Sequence, residues 1–267
     1  MPYAHTLVDF DAESHVATVT LNKPEKMNAI DQGDAADILD ICRRIQDDDG
    51  IWVAIWTGAG RGFCSGAEVT GAPRPSLEGA DLNRLLDEGS WISRQGNALY
   101  DIDKPMIAAV NGVAAGAGFS LALACDVRIG SDAARFVTVF QERNLPPEGG
   151  MSWLLPRIVG MSRALDLSLT SRRIEAEEAL RIGLLDRVVA ADRLLDEARA
   201  YASQICALPP GAVRVAKRAI RRAFDTSFGE ATRYESQMGS LTQRARADSK
   251  EARDSFLEKR KPRYTGR

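Results

Sequence analysis

Two histidines, His5 and His15, are all that this 267-residue chain contains, and both lie in its first fifteen positions. A Ser–His–acid triad would have to borrow one of them from far away in sequence, which argues against that chemistry. The four cysteines, Cys42, Cys64, Cys125 and Cys206, are scattered without metal-type pairing and read as reduced, mostly buried thiols. No cluster of His, Cys and acid suggests a metal. No apolar run approaches the roughly 20 residues needed to cross a bilayer. The start, Met1-Pro2-Tyr3-Ala4-His5, has no basic region followed by an apolar one, so a cytoplasmic protein is expected, with no membrane partner. Low-complexity tracts are missing too, which excludes extended disorder. The run Gly58-Ala59-Gly60-Arg61-Gly62 lacks the GxGxxG spacing of a dinucleotide site.

Charge is nearly balanced overall at −2, yet unevenly placed. Residues 211–267 carry 15 Lys+Arg against 7 Asp+Glu, a local +8, and residues 1–210 carry −10. A basic tail could serve nucleic acid, a phosphorylated ligand or an acidic partner, or simply form solvated helix faces. Stacking aromatics are not interleaved with the basic residues, so nucleic acid is not expected as a partner.

Strand-like and helix-like stretches alternate through the first part of the chain. His15–Leu21 reads as a strand, and Asp31 can cap a helix over 33–48, with Ile38, Leu39, Cys42 and Ile45 on one face. Ile51–Trp56 is a short apolar run suited to a strand buried on both sides. Residues 70–90, with Pro73, Pro75, Gly79 and Gly89, read as a loop of the length that often forms a functional lid. A strand at 105–110, a helix at 117–124 and a strand at 126–130 follow. This is the pattern of an α/β fold with a mainly parallel sheet. From 192 onward only helices are expected, over 192–207, 211–224, 228–246 and 249–259.

Two junctions hold small residues just after an apolar strand. One is Thr57-Gly58 through Phe63-Cys64-Ser65-Gly66-Ala67-Glu68, and the other is Asn111-Gly112 through Gly116-Ala117-Gly118-Phe119-Ser120. Small residues let a ligand approach the backbone, and free N–H groups at a helix start favour negative charge. Two such junctions can supply the two N–H donors that grip one carbonyl oxygen as it becomes an oxyanion.

These residues resemble the crotonase family, also called the enoyl-CoA hydratase/isomerase superfamily. The resemblance runs over nearly the whole chain. It includes Leu21-Asn22-Lys23-Pro24-Glu25-Lys26-Met27-Asn28-Ala29, both junctions, Lys104-Pro105, Ala124-Cys125-Asp126, Leu155-Pro156-Arg157-Ile158-Val159-Gly160, the 176–185 segment and the ending Phe256–Pro262. It implies a spiral of ββα turns over residues 1–191 with an acyl-CoA site. A helical region over 192–267 would build homotrimers that pair into hexamers. The implied substrate is an acyl-CoA thioester, with coenzyme A part of the substrate and no separate cofactor. The implied oxyanion amides are those of Ala67 and Ala117. Ser65, Ala67 and Val69 would lie along the adenine and pantetheine, and Lys26 near the phosphates, with Lys259 as a weaker candidate for that role. Gly116, Ser120 and Phe140 would line the substrate.

Acid–base groups select the reaction. Hydratases of the family use two glutamates, one to activate water and one to deliver a proton. Ser120 stands at the first position and Phe140 at the second. Glu148, in Pro146-Pro147-Glu148-Gly149-Gly150, resembles the single base of the Δ3,Δ2-enoyl-CoA isomerases, and dienoyl-CoA isomerases carry aspartate there. The expected catalytic set is therefore Glu148, Ala67 and Ala117, acting in double-bond isomerisation. Without the resemblance, Pro147 and Glu148 would read as a helix start with an acid in its first turn. Glu142 is a possible second acid or a solvated loop charge. Glu68 and Asp126 suggest structural hydrogen bonding. Three other readings stay open: a hydratase with altered acid–base groups, a CoA-binding protein without turnover, and an RNA-binding relative.

Overall fold

The computed structural model describes residues 3–68 and 90–267. Val69 and all of the expected 70–90 loop except Gly89's neighbour Ser90 lie outside the described residues.

The chain first forms β1 (Thr6–Asp11), β2 (Val16–Leu21), α1 (Gln32–Asp47), β3 (Val53–Gly58) and β4 (Gly62–Cys64). Next come α2 (Trp91–Tyr100), β5 (Met106–Val110), β6 (Val113–Ala115), α3 (Ala117–Ala124), β7 (Val127–Ser131) and β8 (Arg135–Val137). Then follow α4 (Met151–Val159), α5 (Met161–Thr170), β9 (Ile174–Glu175), α6 (Ala176–Arg181) and β10 (Arg187–Val189). The chain closes with α7 (Leu194–Cys206), α8 (Pro210–Ala223), α9 (Phe228–Thr242) and α10 (Arg246–Glu258).

Strands collect into a six-stranded sheet, β1-β2-β3-β5-β7-β10, and a four-stranded sheet, β4-β6-β8-β9. All pairings are parallel except β1–β2 and β8–β9. Each turn of the chain therefore gives one strand to each sheet, β3 then β4, β5 then β6, β7 then β8, with helices between turns. This is the ββα spiral that the family resemblance implies. The strand expected at 51–56 begins at Val53 instead. Ile51 N–H donates to Asp48 C=O, and Trp52 N–H to His15 C=O, so both residues close the turn after α1.

Continuous apolar strands follow from burial of both faces of the large sheet. Val53, Ile55, Ile107, Ala109 and Ile129 face one side, where Leu194, Ala198 and Ala202 of α7 cover them at four-residue spacing. Ala54, Trp56, Met106, Ala108 and Val110 face the main core with α1 and α3. Three cysteines belong to this core, and burial pushes the thiols of Cys42, Cys64 and Cys125 up to about 12 from the ordinary 9.0. In the unfolded chain these thiols ionise near 9, whereas the folded protein keeps their protons until about 12. Their stabilising contribution is complete below 9 and declines as pH rises toward 12. Lys104 acts in the opposite sense, since burial lowers its ammonium to about 8 from 10.5. Three thiols outnumber Lys104 and Lys217, whose ammonium burial also lowers, so urea midpoints are expected to fall between pH 9 and 10.5; midpoints that rise would contradict the burial of the thiols.

Helix α8 shows where much of the basic charge goes. Lys217 Nζ reaches Asp126 Oδ2 at 2.7 Å and donates to Lys104 C=O at 2.8 Å. Arg221 meets Asp126 Oδ1 at 2.7 Å, and Arg214 and Arg218 meet Asp103. Asp126 also accepts from Met106 N–H at 2.7 Å, tying the start of β5 to the helix. Burial holds the Lys217 ammonium below the ordinary lysine value despite its partner. Asp126→Ala would strand Lys217 and Arg221, and is expected to cost about 3 kcal/mol in urea unfolding. A loss under about 1 kcal/mol would show that α8 is held by other contacts.

Candidate active site

The amide of Ala67 is aimed by a single parallel bridge between Ile30 and Ala67. Ile30 N–H donates to Gly66 C=O, and Glu68 N–H donates to Ile30 C=O, each at 2.8 Å. Ile30 thus bonds to the residues on either side of Ala67, which turns the N–H of Ala67 itself away from Ile30. Gly66 permits this turn, with φ at +101°. The second amide, of Ala117, opens α3 after Gly116, whose φ of 49° and ψ of −120° suit only glycine. As the first helical residue it has no intrahelical acceptor, and the helix dipole adds to its attraction for negative charge.

Glycines bring the two donors together. A Cβ on Gly118 would stand 2.2 Å from Cys64 C=O, so α3 lies directly against β4. A Cβ on Gly66 would stand 2.8 Å from the Ala115 oxygen and 3.5 Å from Ala117 N. Both Ala67 and Ala117 line one cavity of about 380 Å³, together with Lys26, Ser65, Gly116 and Phe140. Six of the nine residues expected at the site therefore share one cavity. Val69 lies outside the described residues.

Among the described residues, Ser120 and Glu148 do not line that cavity. Ser120 is buried, and its hydroxyl donates to the Glu148 C=O at 2.7 Å. Its side chain supports the 145–150 loop from behind. Glu148 is half-buried on this loop, next to Gly149, where a Cβ would stand 2.9 Å from Ser120 Cβ and 3.1 Å from the side chain of Ile92, itself a cavity residue. Among the described residues the Glu148 carboxylate makes no hydrogen bond or ion pair. The helix-start reading of Pro147 and Glu148 does not hold. Helix α4 begins at Met151 after Gly150, whose φ of 83° supplies the turn that a Pro-Glu start would not. Glu142 is exposed on a one-turn 3₁₀ helix and Lys259 caps α10; neither lines the cavity.

Glu68 makes the structural contacts expected of it. It pairs with Lys26 at the cavity rim and with Lys23 at 3.4 Å. Lys23 Nζ further holds Asp34 at 2.7 Å and Asp31 at 3.1 Å. Burial works against the ammonium, but the hydrogen bonds and charges of Asp34 and Asp31 outweigh it and raise its pKa above the ordinary lysine value. His5, Asp31 and Asp34 form a ligand-like group that their sequence separation conceals. The Lys23 ammonium already contacts both of its carboxylates, which leaves little need for a metal ion. Sequence reasoning also missed Ile92, Arg143 and Leu145 as cavity residues. They come from a helix and a loop without local motifs, so nothing short of the fold identifies them.

Residues 11–267 match the family described as Enoyl-CoA hydratase/isomerase. The chain is 35% identical over 261 residues to the 1,2-epoxyphenylacetyl-CoA isomerase of Escherichia coli (strain K12), covering 96% of this chain and 97% of that protein. It is also 35% identical over 260 residues to the short-chain-enoyl-CoA hydratase of Clostridium acetobutylicum, covering 95% of each. The crystal structure of an enoyl-CoA hydratase from Bacillus anthracis matches with a TM-score of 0.87 at 31% identity, covering 98% of this chain and 100% of that one. Two backbone donors on adjoining turns of a ββα spiral fit this kinship, and the chain belongs to the enoyl-CoA hydratase/isomerase, or crotonase, family of acyl-CoA-processing enzymes.

Proposed function

We propose that this enzyme moves the double bond of an enoyl-CoA thioester from Δ3 to Δ2, with Glu148 as its single base. The observation that carries the reading is the bond from Ser120 Oγ to the Glu148 carbonyl at 2.7 Å. At the position of the first hydratase glutamate, the side chain is spent on holding the loop that bears the remaining carboxylate. Phe140, at the second position, is an apolar wall. Glu68 is neutralised by Lys23 and Lys26, so among the described residues Glu148 is the carboxylate left for chemistry beside the cavity.

In the proposed reaction the N–H groups of Ala67 and Ala117 donate to the thioester oxygen. Glu148 removes a proton from Cα; the C–H electron pair becomes a double bond between Cα and the thioester carbon, and the carbonyl π pair moves onto oxygen to give a dienolate. The carboxylic acid then returns the proton at Cγ as the carbonyl re-forms, so no water is consumed. Coenzyme A enters as part of the substrate and no further cofactor is invoked. Lys26 and Ser65 at the rim are proposed to meet the CoA portion. Exposed apolar residues on α5 (Met161 and Leu169) and at the end of α8 (Ile220 and, just after it, Phe224) fit burial against further copies of the chain, as in the homotrimer or pair of trimers that the family resemblance implies.

Hydration is the second reading, favoured by the hydratase name of the Clostridium relative. It would require Glu148 alone to activate water and protonate Cα. RNA binding is weaker, because Arg214, Lys217, Arg218 and Arg221 of the basic tail are already engaged with Asp103 and Asp126. The test is conversion of a 3-enoyl-CoA in D₂O followed by NMR. Isomerisation by one base predicts a 2-enoyl product in which part of the proton removed from Cα reappears at Cγ. A 3-hydroxyacyl product as the main outcome would refute it.

A further inference from the structure

We infer that Lys23 is a positioning residue for the oxyanion hole, acting through Glu68 on the amide of Ala67. This rests on the reading of the Ala67 N–H as an oxyanion donor. Among the described residues, the segment carrying that donor is bonded to the 27–30 segment by three backbone hydrogen bonds, Ser65 N–H to Met27 C=O, Ile30 N–H to Gly66 C=O and Glu68 N–H to Ile30 C=O. Its attachment to the 28–31 segment is the Ile30–Ala67 bridge, with one hydrogen bond on each side of Ala67. A bridge that short fixes a register weakly, and a slip by one residue would point the Ala67 N–H the other way.

Lys23 clamps both sides of this bridge. Its side chain is 5% exposed, and its ammonium contacts Asp31 and Asp34 on one side and Glu68 on the other. Asp31 directly follows Ile30, and Glu68 directly follows Ala67. The residues after the two bridge partners are therefore joined through one buried cation. Asp31 and Asp34 are themselves fixed by a reciprocal capping box at the start of α1, each accepting from the other's backbone N–H. Asn28 completes the frame, accepting from Lys23 N–H and donating to Ala59 and Gly62 carbonyls. Lys26 holds Glu68 too, but from the surface, with its side chain 49% exposed. The buried cation sets the register, and the exposed one adds little.

A donor that is present but misaimed loses most of its value, because the hole works only when preorganised on the developing charge. The test uses a chromophoric conjugated enoyl-CoA, whose absorbance shifts to the red when its thioester carbonyl is polarised by the two donors. Wild-type protein is expected to show the shift, and its absence would overturn the donor reading together with this inference. Lys23→Met is expected to lose at least about half of the shift and to lower kcat about tenfold or more, with KM changed less than about threefold. Lys23→Arg, which keeps a buried cation with several donors, is expected to restore most of both.

Because Lys23→Met leaves buried carboxylates facing one another, the double variant Lys23→Met/Asp34→Asn is measured alongside it. That pair removes cation and anion together, keeps an acceptor for the capping box, and still cuts the tie to Glu68. A reduced red shift in the folded double variant supports the inference. A wild-type shift in the double variant, with activity falling only as the folded fraction falls, would overturn it while leaving the donor reading intact.

Discussion

Glu148→Gln is expected to lower turnover of a 3-enoyl-CoA by about 10³-fold, with the fold and the KM nearly unchanged. The amide has the size of the carboxylate but cannot accept the Cα proton at neutral pH. The loss should lie at the upper end for general-base removal, since one group performs both proton transfers. Folding should be spared, because the structural bond at this residue uses its main-chain carbonyl, which Ser120 reaches in the variant as in the native protein. Steady-state kinetics with a thermal melt on the same samples provide the check. A loss smaller than about tenfold, with an unchanged melt, would mean that another group moves the proton.

The second large effect is expected from Gly66→Ala. Alanine is strained at a φ of +101°, and its Cβ would lie 2.8 Å from the Ala115 oxygen. Relief requires rotation of the peptide that joins residues 66 and 67, and that peptide contains the Ala67 N–H. A fall in kcat of about 10²- to 10³-fold is expected, the size seen on removing one oxyanion donor. The strain is confined to a short segment at the rim of the core, so the melting temperature should drop far less than activity does. Activity within about threefold of wild type would show that the Ala67 amide is not a donor in the transition state.

Most of the fold is legible because its strands are short apolar runs with clear turn residues between them. The helix over Ala117–Ala124 appears where expected, since Gly116 before it and Cys125 after it both leave helical geometry. The helix expected over 228–246 ends at Thr242, and the helix expected over 249–259 begins earlier, at Arg246. A turn at Arg244 and Ala245 separates them, with N–H groups bonded to Leu241 and Thr242 carbonyls, and no glycine or proline marks the place. The two small-residue junctions were legible for a physical reason: small residues must sit where two backbones approach.

Ser120 was harder to read. A serine in place of a carboxylate looks like a lost function in sequence, and its work, supporting the Glu148 loop 28 positions away, needs the fold to be seen. The Lys23 cluster was hidden similarly. Its members come from four separate places in the chain, and each alone reads as a solvated charge. Arg143 on the cavity wall belongs to the same class.

The central claim is that one carboxylate, Glu148, serves an oxyanion hole without a hydratase pair. Its most direct test supplies wild type and Glu148→Ala with a 3-enoyl-CoA and, separately, a 2-enoyl-CoA, and quantifies products by NMR. The account predicts that wild type converts the 3-enoyl substrate to the 2-enoyl product, that hydration of the 2-enoyl substrate is slow, and that Glu148→Ala does neither. Efficient hydration of the 2-enoyl-CoA that survives in Glu148→Ala would contradict it.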